Sequence, residues 1–280
     1  MDYLPPAAPP VCYRHPDRPT RLACSECGRL ICVECSRDAV VGQKCPECST
    51  PEHRTRVISA RTITHLDHRA TPVTWGLIVV DVVIFGLQEL FDRLDILHRF
   101  AQIPVLVTHG EWWRVLTAMF LHGGVLHLLF NMYALWLFGP VLERRFGSVP
   151  YAALYLAGGI SGGMLFQLLG ADRAAAVGAS GAIFGLLGAL LAASYRQRRT
   201  RAGAAVFGQL GVLLIINLAL PLFWPGGHIA WQAHVGGLAA GILIAAAWDH
   251  MPLAGRGAAA RRVGVALAVG GAALAVVLLA

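Results

Sequence analysis

The sequence predicts an all-α polytopic membrane protein preceded by a small zinc-stapled domain. Three observations carry this expectation. The 280 residues are 56% hydrophobic and only 14% charged, with a mean hydropathy of +0.59, whereas soluble domains carry about 25% charged residues. Seven apolar stretches approach or exceed the ~20 residues with which a helix crosses a bilayer. All seven cysteines fall before residue 50, in closely spaced pairs. The change from this head to a remainder rich in Ala, Leu, Gly and Val implies two different kinds of domain.

Residues 1–11 are proline-rich and lack the apolar core of a secretory signal, so they read as a disordered tail, and the first span has to act as the insertion signal. Residues 12–50 carry Cys12-x2-His15, Cys24-x2-Cys27, Cys32-x2-Cys35 and Cys45-x2-Cys48. These eight ligands at knuckle spacing suffice for two tetrahedral zinc ions. An odd number of cysteines argues against a closed disulfide framework, and His15 completes the count for metal. So short a core needs such a staple to stay folded. Interleaved pairing, first pair with third and second with fourth, resembles the cross-brace of B-box and RING-like fingers and is preferred to consecutive pairing. Zinc thiolates need a reducing compartment, which puts the head in the cytoplasm. Its charge is nearly balanced and Tyr13 is its one stacking aromatic, so a protein partner is expected and nucleic acid is not. Residues 51–72, polar and rich in Arg and Thr, read as a linker.

Spans are expected near 73–91, 115–138, 150–170, 177–195, 204–224, 232–248 and 263–280. Residues 92–114, with Trp112 and Trp113, are too polar to span and suit an interfacial loop. The formal charge of +7 comes from arginines set between apolar runs, where they would meet lipid headgroups. With a cytoplasmic amino terminus, Arg54, Arg56, Arg61, Arg69, Arg144, Arg145, Arg196, Arg198, Arg199, Arg201, Arg256, Arg261 and Arg262 lie inside. Only Arg93, Arg99, Arg114 and Arg173 then lie outside, and this asymmetry favours that orientation in the cell membrane. In that topology His122, His127, Ser180 and His234 all fall in the first part of outside-to-inside spans, at similar depth near the outer leaflet.

Polar groups at membrane depth are expensive and usually have a partner and a task. Ser180 stands among small residues in Gly178-Ala179-Ser180-Gly181, with little bulk to block a substrate carbonyl, and His234 in Ala233-His234-Val235-Gly236-Gly237 is its natural base. Gly181-x3-Gly185 and Gly237-x3-Gly241 are faces that let two helices approach closely. His127 and Asn131, four residues apart, share a helical face and suit an oxyanion hole together with the Ser180 amide. Phe184, one turn after Ser180, is placed to lie against the His234 ring. Asp81 and Asp249 are poorly placed for a triad, so a dyad is expected. Each residue alone has an ordinary packing explanation; their matching depth on alternate spans does not.

These residues resemble the rhomboid family of intramembrane serine proteases. The resemblance runs over 73–250 and includes Glu111-Trp112-Trp113-Arg114, His122-x4-His127-x3-Asn131, Glu143-Arg144-Arg145-Phe146-Gly147, Gly178-Ala179-Ser180-Gly181 and Trp231-Gln232-Ala233-His234-Val235-Gly236-Gly237. It implies a six-helix rhomboid-type core that cleaves transmembrane segments of other proteins without a catalytic metal or other cofactor. By the same resemblance Ser180 matches the nucleophile, His234 the general base, and His127 and Asn131 the oxyanion side chains. Gly178 matches the glycine opening the nucleophile loop, and Trp113 and Arg114 match a structural pair in the first loop. His122 and Gly237 are supporting positions. Phe184 stands where some relatives carry tyrosine. Residues 251–280, a loop and seventh span, lie outside the resemblance, as does the head. The alternative reading is a catalytically silent membrane chaperone or sorting factor; a transporter is a third, although no inverted repeat is visible.

Overall fold

The computed structural model describes residues 9–38, 42–49, 70–91, 95–223, 230–251, 255 and 257–279. The chain forms two compact units, the cysteine-rich head and a helical bundle. Most of the expected tail and linker, together with Arg54, Arg56, Arg61, Arg69, Arg93 and Arg256, lies outside the described residues.

The head has almost no aliphatic interior. Its buried cluster is Cys12, Cys24, Ile31, Cys32, Cys35 and Cys45, so five of its six members are cysteines. Strands β1 (Arg37–Asp38) and β2 (Gln43–Lys44) form one antiparallel ribbon, with Arg37 opposite Lys44. The turn after Cys24 is closed by Gly28 N–H to the Cys24 carbonyl at 2.9 Å, and Gly28 adopts φ +74°, which a glycine takes without strain. At the surface Arg18 pairs with Glu34 at 2.7 Å and holds that carboxyl below its usual range.

The bundle runs α1 (Pro72–Leu90), three short helices α2 (Ile96–Phe100), α3 (Pro104–Thr108) and α4 (Arg114–Thr117), then α5 (Val125–Phe146), α6 (Ser148–Leu169), α7 (Ser180–Arg196), α8 (Arg201–Phe223), α9 (Trp231–Trp248) and α10 (Ala258–Leu279). Its seven long helices fall on the seven apolar stretches. Five of them (α1, α5, α6, α9 and α10) are long and apolar enough to cross a bilayer, and α7 and the apolar part of α8 are shorter. This is an integral, multi-pass membrane protein.

The second span departs from expectation. It begins at Val125, not near 115, because Gly123-Gly124 interrupts the helix and Gly124 has φ +154°. The preceding residues form α4 and a single 3-10 turn at Ala118–Phe120, which belong to the loop. His122 therefore lies in the turn before α5 and not within a span.

Glu143, near the end of α5, fastens three helix ends. Its carboxylate accepts from the amides of Val73 and Thr74 at 2.9 and 2.8 Å, from the Thr74 hydroxyl at 2.7 Å and from the Ser148 hydroxyl at 2.7 Å. An anion at the first turn of α1 satisfies amides that no intrahelical carbonyl can reach. The Thr71 hydroxyl makes no cap there.

Helices α6, α7 and α9 meet backbone to backbone. A Cβ at Gly237 would collide with the Gly181 carbonyl and one at Gly241 with the Gly185 carbonyl; one at Gly162 would lie 2.6 Å from the Ala233 carbonyl. In a bilayer, lipid tails are as apolar as leucine, so van der Waals approach of this kind holds helices together. Helix α10 lies along α6, where a Cβ on Gly270 would come 3.1 Å from Ala157 Cα.

Candidate functional site

Ser180 is the first residue of α7, and the turn that delivers it is built by glycine. Gly178 has φ +123°, and a Cβ there would come 2.8 Å from Cε1 and Nε2 of His127. That turn is held by the loop between α1 and α5. Gln102 and Ala176 exchange backbone hydrogen bonds at 3.0 and 2.9 Å, the Val105 amide reaches the Asp172 carbonyl at 2.9 Å, and the Gly178 amide donates to the Ala118 carbonyl at 2.9 Å.

The α7–α9 glycine contact brings His234 to the serine: Nε2 lies 3.0 Å from Ser180 Oγ. The Phe184 ring stacks on the imidazole with centroids 4.1 Å apart and planes 6° from parallel. His234 Nδ1 has no hydrogen-bond partner among the described residues. Neither aspartate supplies one, since Asp249 pairs with Arg196 at 3.2 Å and the fully buried Asp81 has no hydrogen bond among the described residues. With Nε2 accepting from the serine hydroxyl, the ring proton belongs on Nδ1.

His127 stands in the first turn of α5, and its Nδ1 accepts from the Gly123 amide at 3.3 Å. That bond puts the ring proton on Nε2, the atom beside Gly178. The amide of Asn131 donates to the His127 carbonyl at 2.9 Å, a bond within its own helix. Its remaining N–H is not used by that bond. His122 is buried, and its ring meets His127 edge-on at 5.3 Å.

Arg114 is a fastener of the loop. Its Nε bonds Glu111 at 2.6 Å and one terminal nitrogen bonds the carbonyls of His98 and Ala101, both at 2.9 Å. Trp113 is 43% exposed, edge-on to Trp112, and contributes a backbone carbonyl to α4. Three glutamines were missed in the sequence. Gln88 bonds both the amide and the carbonyl of His122 at 3.1 and 3.0 Å, Gln102 reaches the Gly163 carbonyl at 2.8 Å, and Gln167 reaches the Pro104 carbonyl at 3.0 Å. Their signal was present: an amide in an apolar helix or membrane-level loop has few uses besides bonding irregular backbone.

In the head the eight ligands separate into Cys12, His15, Cys32 and Cys35, and Cys24, Cys27, Cys45 and Cys48, the interleaved pairing. Within each set the ligand atoms lie within 4.8 Å of one another. His15 Nδ1 is 3.3, 3.4 and 3.9 Å from the sulfurs of Cys32, Cys35 and Cys12, and Cys27 and Cys45 sulfurs are 3.8 Å apart. A tetrahedron with ~2.3 Å arms has edges of about 3.8 Å, so both sets fit structural zinc. Two zinc ions are the metals of this domain.

The bundle and its Ser–His contact define a class, a helical membrane protein with a hydrogen-bonded serine and histidine between two closely packed helices. A family profile for the Rhomboid domain matches residues 109–248, half of the chain, and one for the B-box zinc finger matches residues 8–39. The chain belongs to the rhomboid family. It is 40% identical over 93 residues to Rhomboid protease GluP of Bacillus subtilis (strain 168), covering 32% of this chain and 18% of that protein. It is 42% identical over 72 residues to RHOMBOID-like protein 9, chloroplastic, of Arabidopsis thaliana, covering 26% and 17%. To Rhomboid protease GlpG of Klebsiella pneumoniae subsp. pneumoniae it is 31% identical over 83 residues, 30% of each chain. The matched stretches thus span less than a third of each relative.

Proposed function

We propose that this protein is an intramembrane serine endopeptidase that cleaves transmembrane segments of other membrane proteins with a Ser180–His234 dyad. The observation that carries the reading is the 3.0 Å contact from His234 Nε2 to Ser180 Oγ, with the ring fixed by Phe184. Ser180 Oγ attacks the scissile carbonyl and passes its proton to His234 Nε2. The new C–O bond forms as the carbonyl π bond opens to an oxyanion; its collapse then breaks the amide C–N bond, and His234 gives the proton to the leaving amine. Water then repeats the sequence on the acyl-enzyme, giving a carboxylic acid and restoring the serine. The oxyanion is held by His127 Nε2–H, the free N–H of Asn131 and the Ser180 amide at the start of α7, where the helix dipole favours negative charge.

The length of α7 supports a site below the membrane surface. Its 17 residues rise about 25 Å, short of a hydrocarbon layer about 30 Å thick. With Arg196, Arg198 and Arg199 in one headgroup region, Ser180 remains within the membrane. The arginine distribution supports a cytoplasmic head and a site toward the outer leaflet. Cys12, His15, Cys32 and Cys35 hold one zinc and Cys24, Cys27, Cys45 and Cys48 the other. Zinc supplies cross-links in a domain that lacks an aliphatic core, and this rigid head serves a protein partner. The five domains follow: tail 1–11, zinc domain 12–50, linker 51–72, protease core 73–250, and loop with seventh span 251–280.

The test is fluorophosphonate labelling and cleavage of a transmembrane substrate by purified protein. Wild type labels at Ser180 and cleaves, while Ser180→Ala and His234→Ala fold, insert and do neither. Cleavage surviving in Ser180→Ala overturns the assignment. A wild type that binds substrates without labelling or cleavage makes the chain a silent chaperone.

A further inference from the structure

We infer that the seventh helix is a positioning element for the nucleophile, acting through Val277 and the loop between α1 and α5; this rests on the hydrolase reading of Ser180. Near the end of α10, Val277 is buried in a small cluster separate from the main core, with Val107 of α3 and Val115 of α4 and with Ile160 and Met164 of α6 packed beside them. Two of those partners are loop residues. The same loop carries the Ala118 carbonyl that receives the Gly178 amide at 2.9 Å and the Gln102 backbone that pairs with Ala176. The nucleophile therefore stands two and four positions after Gly178 and Ala176, the residues held by a backbone clamp whose other side rests on Val277.

The direction of dependence follows from what else holds the loop. Arg114 and Glu111 tie the loop to itself, through bonds to each other and to the carbonyls of His98 and Ala101. Gln102 and Gln167 tie it to α6 through the Gly163 and Pro104 carbonyls. Beneath α3 and α4 the support is apolar, and α10 supplies one of its three fully packed valines. Packing of this kind is bistable, not elastic, so a lost methyl pair shifts the backbone above it. The register of α10 on α6 is fixed two turns earlier by the close approach of Gly270 to Ala157.

Val277→Ala removes the prop while leaving every polar tie and the dyad in place. Fluorophosphonate labelling at Ser180 slows about tenfold, within the roughly hundredfold that a misplacement of about 1 Å can cost, and cleavage falls in kcat more than in KM. Val277→Ile restores the rate, and Leu278→Ala, on the lipid-facing side of the same turn, leaves it unchanged. A thermal midpoint lowered without slower labelling marks a merely structural valine and overturns the inference, as does wild-type labelling. Should Val277→Ala not fold, Val277→Thr weakens the apolar prop by placing a hydroxyl within it: slowed labelling supports the prop and unchanged labelling overturns it. Wild-type protein that labels no faster than Ser180→Ala defeats the hydrolase reading instead.

Discussion

Gly178 decides how close His127 stands to the turn before Ser180. Its φ of +123° is a conformation that costs other residues about 1–3 kcal/mol, and its missing side chain leaves room for the imidazole. Gly178→Ala should therefore abolish labelling of Ser180 while far-ultraviolet circular dichroism keeps its helical signal; a variant that labels normally removes this role. His127 differs from Asn131 in what it has free. With Nδ1 engaged by Gly123, its Nε2–H has no competing backbone bond among the described residues, whereas the Asn131 amide already serves the His127 carbonyl. His127→Ala and Asn131→Ala should each cost about 2.7–4 kcal/mol of transition-state stabilisation, read from kcat/KM on a transmembrane substrate. Unchanged kcat/KM would take either residue out of the hole. The sequence pointed to these residues because a serine, a histidine and an amide inside apolar segments are hard to explain by packing. The tautomers were not legible, since each is set by a bond on the far side of its ring.

Among the elements, the paired glycine faces of α7 and α9 were readable as spacing and the structure gives them contact. A side chain at Gly237 or Gly241 meets carbonyl oxygen, which cannot move without unwinding α7. Gly241→Val should separate the helices, lower the thermal midpoint and extinguish labelling together; loss of neither would contradict the packing. Glu143 shows the reverse case. In the sequence it stood within the segment Glu143-Arg144-Arg145-Phe146-Gly147 with no role assigned, yet it caps α1 from 69 residues away. Glu143→Ala should cost about 0.5–2 kcal/mol for the lost cap, measured as unfolding in mild detergent, with Glu143→Gln recovering part of it. The second span was misjudged at its start for a related reason. Apolar residues 115–121 look helical by composition, but Gly123-Gly124 and the loop's hydrogen bonds to the segment before Ser180 draw them out of the span.

At the scale of the whole molecule, two units are stabilised by different physics. The bundle buries backbone against backbone, while the head buries cysteine. Chelation should therefore unfold the head, since metal binding there is folding free energy, and elemental analysis should return two zinc ions per untreated chain. The interleaved pairing has its own signature. Cys12→Ser with Cys32→Ser should leave one zinc, and Cys12→Ser with Cys24→Ser should leave none; the opposite ranking would mean consecutive pairing. From the sequence alone came the class of each unit, the number of apolar helices and the ligand set, because composition and spacing act locally along the chain. Tertiary structure alone decided which histidine nitrogen faces the serine, which glutamate caps which helix and what lies beneath the loop. Those are contacts between residues tens to more than a hundred positions apart, and no local pattern encodes the distance between two helices until they have packed.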